Sequence, residues 1–162
     1  MKKYVLILMS LILFISGCNS SVFITPQIPT GGINSNDTDE FPSYSSDGRY
    51  LAFTSDRNGH RDIYLYDFQQ RSLVNLPNIN RRDSTQEQPA LSADGNYIAY
   101  VSNERGKRDI LVYNRQTQRS TLLTGNIKGS VRHPTITGNG LQVAFQTSET
   151  GTWKIAIVDY SP

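Results

Sequence analysis

SYSSDGRYLAFTSDRNGHRDIYLYD, residues 43–67, decides how this chain is built, because it comes back as ALSADGNYIAYVSNERGKRDILVYN at residues 90–114. Pro42, Asp47, Gly48, Ala52, Ser55, Gly59, Arg61, Asp62 and Ile63 recur as Pro89, Asp94, Gly95, Ala99, Ser102, Gly106, Arg108, Asp109 and Ile110, each 47 positions on. A third copy, HPTITGNGLQVAFQTSETGTWKIAIVD at residues 133–159, sets Pro134, Gly140, Ala144, Gly151 and Ile155 45 positions beyond Pro89, Gly95, Ala99, Gly106 and Ile110. A period of 45–47 residues means an array of one supersecondary unit, in which each unit buries its apolar surface against the next.

Within each copy the apolar residues alternate, as a strand requires. Tyr50, Ala52 and Thr54 fall on one side and Leu51, Phe53 and Ser55 on the other. The runs are rich in aromatic and β-branched residues and bounded by Gly, Asp and Asn. Asp47-Gly48 and Asp94-Gly95 are hairpin-turn dipeptides, and Gly138-Asn139-Gly140 serves that end in the third copy. Four short strands per copy are expected, near Pro42–Ser45, Arg49–Ser55, Asp62–Asp67 and Ser72–Leu76 in the first. The fold class is all-β, and a four-stranded unit at this period reads as a propeller blade.

The shared pattern is P-x-[aromatic or L]-S-x-D-G-x-x-[IL]-A-[FY]-x-S followed by G-x-x-D-I-[YL]-[VL]-Y-[DN], at Pro42–Ser55 with Gly59–Asp67 and at Pro89–Ser102 with Gly106–Asn114. It resembles the propeller repeats of the TolB family, over about residues 39–160. In the third copy Asp becomes Asn139, Arg108 becomes Trp153 and Asp109 becomes Lys154, while the alternation and the glycines survive.

The start of the chain has a different character. Lys2 and Lys3 precede a nearly unbroken apolar run, Tyr4–Ile15, and the small residues Ser16 and Gly17 lead to Cys18, the single cysteine. The run is shorter than the roughly 20 residues of a membrane-spanning helix and reads as an export signal. Ile15-Ser16-Gly17-Cys18 resembles the lipobox of bacterial lipoproteins, which implies cleavage before Cys18 and acylation of that residue. An ordinary signal peptide cut nearby is the alternative. The organisation expected is a signal at 1–17, a lipidated tether at 18–38, and blades at 39–83, 84–128 and 129–162, facing the periplasm from a membrane. Past residue 17 the chain carries 14 basic and 14 acidic residues, which gives no electrostatic case for nucleic acid.

The third copy has no fourth strand after Asp159. The segment Ser21–Ile28 instead lines up with Ser72–Ile79 and Ser120–Ile127. Propeller rings take four to eight blades, so three do not close. The expectation is therefore half of a six-bladed ring, in which Val22–Thr25 completes the third blade of a second, head-to-tail copy. An open three-blade monomer, or a different protein supplying the missing blades, are the alternatives.

Candidate chemistry is sparse. The histidines are His60 and His133, and no His/Cys/Asp/Glu spacing suits a metal. Asp56-x-Asn58-Gly59-x-x-Asp62 lacks the bidentate Glu of a calcium loop. No catalytic set, metal or cofactor is expected. The second-to-third-strand loops and the links between blades should share one face, carrying Arg57, His60, Arg61, Arg81, Arg82, Arg105, Lys107, Arg108, Lys128, Arg132, His133 and Trp153. Arg57 with Asp62, and Glu149 with Lys154, are placed to pair across their hairpins. The function expected is a non-catalytic module that docks an envelope protein, with Trp153 as anchor; the alternative is a saccharide or peptide ligand held, or processed, in the axial funnel.

Overall fold

The structure is a computed structural model that describes residues 32–162. The expected signal segment, Cys18 and the strand Val22–Thr25 lie outside the described residues. Among those residues there are eleven strands and no helix. The first sheet is β1 (Asp39–Tyr44), β2 (Tyr50–Ser55), β3 (Asp62–Asp67) and β4 (Ser72–Leu73); the second is β5 (Gln86–Leu91), β6 (Tyr97–Ser102), β7 (Asp109–Asn114) and β8 (Arg119–Leu122). The third has β9 (Val131–Ile136), β10 (Gln142–Thr147) and β11 (Lys154–Asp159). Each is an antiparallel meander in chain order, and β1, β5 and β9 lie side by side where the three sheets converge. These are three propeller blades, as the repeat implies, and the third is three-stranded among the described residues. The fourth strand of the first blade is shorter than expected, because only Ser72 and Leu73 pair with β3, while Val74 N–H adds one further bond to Leu65 C=O, at 2.7 Å.

The hairpin chemistry explains why the copies tolerate substitution. Asp47 Oδ1 accepts from Ser45 Oγ at 2.6 Å and from Arg49 N–H at 3.0 Å, and Asp94 repeats this with Ser92 and Asn96. Asn139 does the same work with its amide oxygen, accepting from Thr137 Oγ1 at 2.7 Å and Leu141 N–H at 3.1 Å. The carboxylate is dispensable because the turn asks only for an acceptor. Two expected ion pairs are not formed. Arg57 turns instead to Asp39, at 2.9 Å, and to the carbonyls of Gly32 and Ile33, because β1 pairs Asp39 with Ser55 beside it and residues 32–33 lie on the segment leading into β1. Glu149 accepts the backbone N–H of Lys128 at 3.1 Å, and Lys154 enters no ion pair among the described residues.

The core lies between blades rather than inside them. One flank of the first blade (Ala52, Ile63, Leu65) packs on the facing flank of the second (Ile98, Tyr100, Leu111, Tyr113). The other flank of the second (Ala99, Val101, Ile110, Val112) packs on Val143, Phe145, Ala156 and Val158 of the third. At about 1.5–3 kcal/mol for each fully buried large apolar side chain, this stacking is the main term holding the array together. Ser46 N–H donates to Ala93 C=O at 3.0 Å, and Ala93 N–H to Gly138 C=O at 2.9 Å, so the turns also link blade to blade. Gly95 and Gly140 are closed over by Tyr50 and Tyr97 of the preceding blade, whose nearest atoms would lie 2.7 and 2.2 Å from an added Cβ.

Gly59 has a φ of +76° with open space around it, and Gly140 has +77° with the Tyr97 ring against it. Gly59→Ala should therefore cost about 1 kcal/mol from backbone strain alone. Gly140→Ala should cost about 2–4 kcal/mol, because overpacking is added. Urea unfolding midpoints of the two variants measure the difference.

Candidate functional site

The second-to-third-strand loops and the inter-blade links do share one face. Asn80 receives Ile63 N–H and donates to Ile63 C=O, both at 2.8 Å, Thr85 N–H reaches Asn103 Oδ1 at 2.7 Å, and Ser130 N–H reaches Ser148 Oγ at 3.0 Å. This face carries the cationic residues singled out from the sequence, and the geometry sorts them into paired and unpaired groups.

The paired group forms a ladder across the first two blades. Arg61 contacts Glu40 of its own blade at 2.6 Å, Asp56 of its own loop at 3.4 Å and Glu87 of the next blade at 3.1 Å. Arg108 also contacts Glu87, whose side chain is 8% exposed. Arg81 lies 3.4 Å from Asp83 and 3.5 Å from Glu104. Arg105 and Lys107 converge on Asp109, which is fully buried and also accepts from Thr124 Oγ1 at 2.8 Å. Of these acids Glu87 and Asp109 are buried, so Arg61, Arg108, Arg105 and Lys107 neutralise desolvated carboxylates, a structural duty, while Arg81 holds the exposed Asp83 and Glu104.

The unpaired group lies at the third blade, except Arg82, which sits in the link between the first and second blades. Arg132 places its guanidinium 3.8 Å from the centre of the Trp153 ring and donates to Gln146 Oε1 at 2.9 Å. Trp153 is 43% exposed, so it does not cap the core. His133, Arg82 and Lys128 are exposed, and none of Arg82, Lys128 and Arg132 has a carboxylate partner among the described residues. A guanidinium over an indole, with loose positive charge nearby, suits an anionic or acidic ligand. His60 is exposed at the tip of the first blade's loop, away from this group.

Three left-handed non-glycine residues lie in the axial strands: Phe41, Gln88 and His133 have φ of 54°, 55° and 50°, each directly before the repeated prolines Pro42, Pro89 and Pro134 and within a β-bulge. A left-handed non-glycine residue costs about 1–2 kcal/mol. The bulge turns the backbone N–H toward the neighbouring blade: Gln88 N–H donates to Thr54 Oγ1 at 3.2 Å, and His133 N–H to Gln88 Oε1 at 2.7 Å. Glu40 and Gln88 were not foreseen as site residues. Glu40 recurs as Glu87 at the repeat spacing, a signal that was present in the sequence; nothing local marked Gln88.

Among the described residues, no three His, Cys, Asp or Glu side chains gather as a metal would need. The Asp56–Asp62 loop is closed by Arg61 on Asp56. Burial pushes the Asp62 carboxyl above its usual range, with Asp56 adding to the shift and His60 partly opposing it. Burial acts the same way on Asp39, but hydrogen bonds from Ser55, Ser35 and Arg57 outweigh it and hold that group low.

The sequence matches the TolB beta propeller domain over residues 27–161. The chain belongs to the TolB β-propeller family. Among curated proteins, no sequence matches it. Similar solved structures include one assigned to TolB of Agrobacterium tumefaciens, with a TM-score of 0.65 and 18% identity over 78% of this chain and 47% of that one. TolB of Acinetobacter baumannii matches with a TM-score of 0.60 and 26% identity over 78% of this chain and 31% of that one. An oligogalacturonate lyase in complex with manganese shares the fold at a TM-score of 0.56 and 16% identity, over 78% of this chain and 36% of the lyase. This TolB-family chain therefore spans half or less of the proteins it resembles.

For Asp62 the folded-state pKa lies above the unfolded one, so ionising it opposes folding. Its unfavourable contribution is absent below about pH 4 and grows as pH rises through the two values. Asp62→Asn should raise the melting temperature at pH 7 relative to wild type and lose that advantage near pH 3, as read by calorimetry across the pH series.

Proposed function

We propose that this TolB-like chain is a lipid-anchored, non-catalytic interaction module of the bacterial envelope, docking an acidic segment of a protein partner. The observation that carries the reading is the Arg132–Trp153 pair with the exposed His133 next to it in β9 and the exposed Lys128 in the link bonded to the same blade's loop, on the face where the loops and links gather. Elsewhere on that face every singled-out arginine and lysine except Arg82 has an acidic partner, exposed in the case of Arg81, which leaves this corner as the electropositive, aromatic one. Family membership and the two TolB structures support an envelope setting, and Ile15-Ser16-Gly17-Cys18 supports the anchor. Acylation at two or more positions holds a protein stably on a bilayer, whereas a single chain gives marginal binding.

Arg105, Lys107 and Arg108 are unsuitable probes of docking, because reversing them strands the buried Asp109 and Glu87. Trp153→Ala with Lys128→Glu removes the anchor and the loose charge beside it without touching a buried acid. Crosslinking of the membrane-bound chain in its own cells, followed by affinity titration of the captured partner, should show at least about tenfold weaker binding for this variant, at an unchanged melting temperature. Equal capture by variant and wild type rejects the reading.

The anchor has its own test. Labelled fatty acid supplied to growing cells should appear on the chain, and Cys18→Ser should abolish the label and release the protein from the membrane fraction. A membrane-bound, unlabelled wild type rejects lipidation.

A further inference from the structure

The third blade leaves open a flank that is closed twice elsewhere in the chain. Ile155 and Ile157 are 69% and 66% exposed, whereas their counterparts Ile63 and Leu65, and Ile110 and Val112, are at most 1% exposed. At the other end Tyr44 is 59% and Phe68 38% exposed, and an added Cβ on Gly48 would meet nothing within 4 Å. Their second-blade counterparts Leu91 and Gly95 are covered by the first blade.

The rims of these two ends match as in the repeated interface, while Leu51 and Phe53, the first-blade counterparts of Ile98 and Tyr100, are covered within the chain. Leu91 sits among Tyr50, Ala52 and Leu65, and its N–H donates to Ser43 Oγ at 3.2 Å. The same four positions on the third blade are Thr135, Gln142, Ala144 and Ile157, and they line an unfilled groove of about 170 Å³. The residue at Leu91's position in the first blade is the exposed Tyr44. Likewise Arg115 lies 4.4 Å above the Tyr50 ring and Tyr160 packs 5.7 Å from Tyr97, so Phe68 is the part that would meet Gln142. The charges agree in sign. Glu87 receives Arg61 from the blade before it; Glu40 holds the Glu87 position, and the free cation at the open flank is Arg132.

We propose that the open flank of the third blade seats the first blade of a second copy of this chain, and the reverse, closing a six-bladed ring of two subunits. The three described blades fall short of the smallest rings, while the six of two copies lie inside the observed range. The contact joins the third blade of each copy to the first blade of the other, so it occurs twice about one two-fold axis and is isologous as a whole. Leu51 and Phe53 are already covered within the chain, so the second copy meets the rim formed by Tyr44, Gly48 and Phe68. Arg61, with a blade on each side, keeps its side chain 31% exposed, so Trp153 stays on the loop face in the ring. In the ring Arg132 faces Glu40 of the second copy and leaves Trp153 and Lys128 to the docking role, so the two readings share that one arginine and are told apart by oligomeric state and by partner capture.

Disulfide trapping in the full chain tests it. An added Cβ on Gly95 lies 3.5 Å from Tyr50 Cβ, within bridging range, and the corresponding inter-copy pair is Gly48 with Gln142. The Tyr50→Cys/Gly95→Cys chain is the internal control and should oxidise without change in mass. The Gly48→Cys/Gln142→Cys chain should run at twice the monomer mass without reductant, and neither single variant should. Sedimentation of the unmodified chain in detergent should give a dimer at tens of micromolar, with Ile157→Asp raising the dissociation constant at least about tenfold. A monomeric wild type, together with a control bridge that forms and an inter-copy bridge that does not, overturns the proposal and assigns the flank to other blades or to another protein.

Discussion

Everything in this molecule follows from the two-sided apolar character of its blades. A sheet that alternates Tyr50, Ala52 and Thr54 with Leu51, Phe53 and Ser55 has no polar side to offer water, so it is stable only between neighbours. The burial values follow that requirement. All six residues of β2 and of β7 are buried, while β11, with one flank uncovered, alternates between exposed and half-buried positions. Stability in such an array is a sum over blade-to-blade contacts.

The polar features serve the same stacking. The left-handed bulge at Gln88 and His133 is strained in isolation, yet it aims a backbone donor at the preceding blade, where Thr54 and Gln88 accept it. Arg61 has the same logic in charged form, since it joins Glu40 and Glu87 from two blades with one guanidinium. Where the third blade replaces the pair by Arg132 and Trp153, the charge is no longer spent on a neighbouring acid. That exchange is what turns a structural position into a candidate binding one.

Much of this was legible in the sequence because repetition separates framework from variation. Pro42, Gly48, Ala52 and Gly59 return at a fixed spacing, and each return marks a turn, a bulge or a packed flank. Strand number and order, and the shared face of the loops, followed from that spacing alone. The pairing of charges did not. Arg57 was expected on Asp62 because the two flank one hairpin; it went to Asp39, since a long side chain chooses among acceptors brought near by sheet formation, not by sequence distance. Similarly, a list of cations on one face suggested a positive surface, and only coordinates reveal that Arg105 and Lys107 attend a buried carboxylate.

The last consequence concerns why the third copy drifted from the first two. Lys154, Trp153 and Asn139 stand where Asp109, Arg108 and Asp94 stand in the second blade. Asn139 keeps its turn intact because the acceptor oxygen is retained. Asp109 is held in a buried site by Lys107, Arg105 and Thr124, all supplied by its own blade and the link that follows it. At the third blade the corresponding position is exposed, so a carboxylate there would gain no comparable enclosure and a lysine carries no desolvation cost. Lys154 thus departs where the enclosure of the repeat is lost, and Asn139, in a turn the second blade covers, departs only as far as keeping its acceptor oxygen allows, beside Gly140, which Tyr97 closes over.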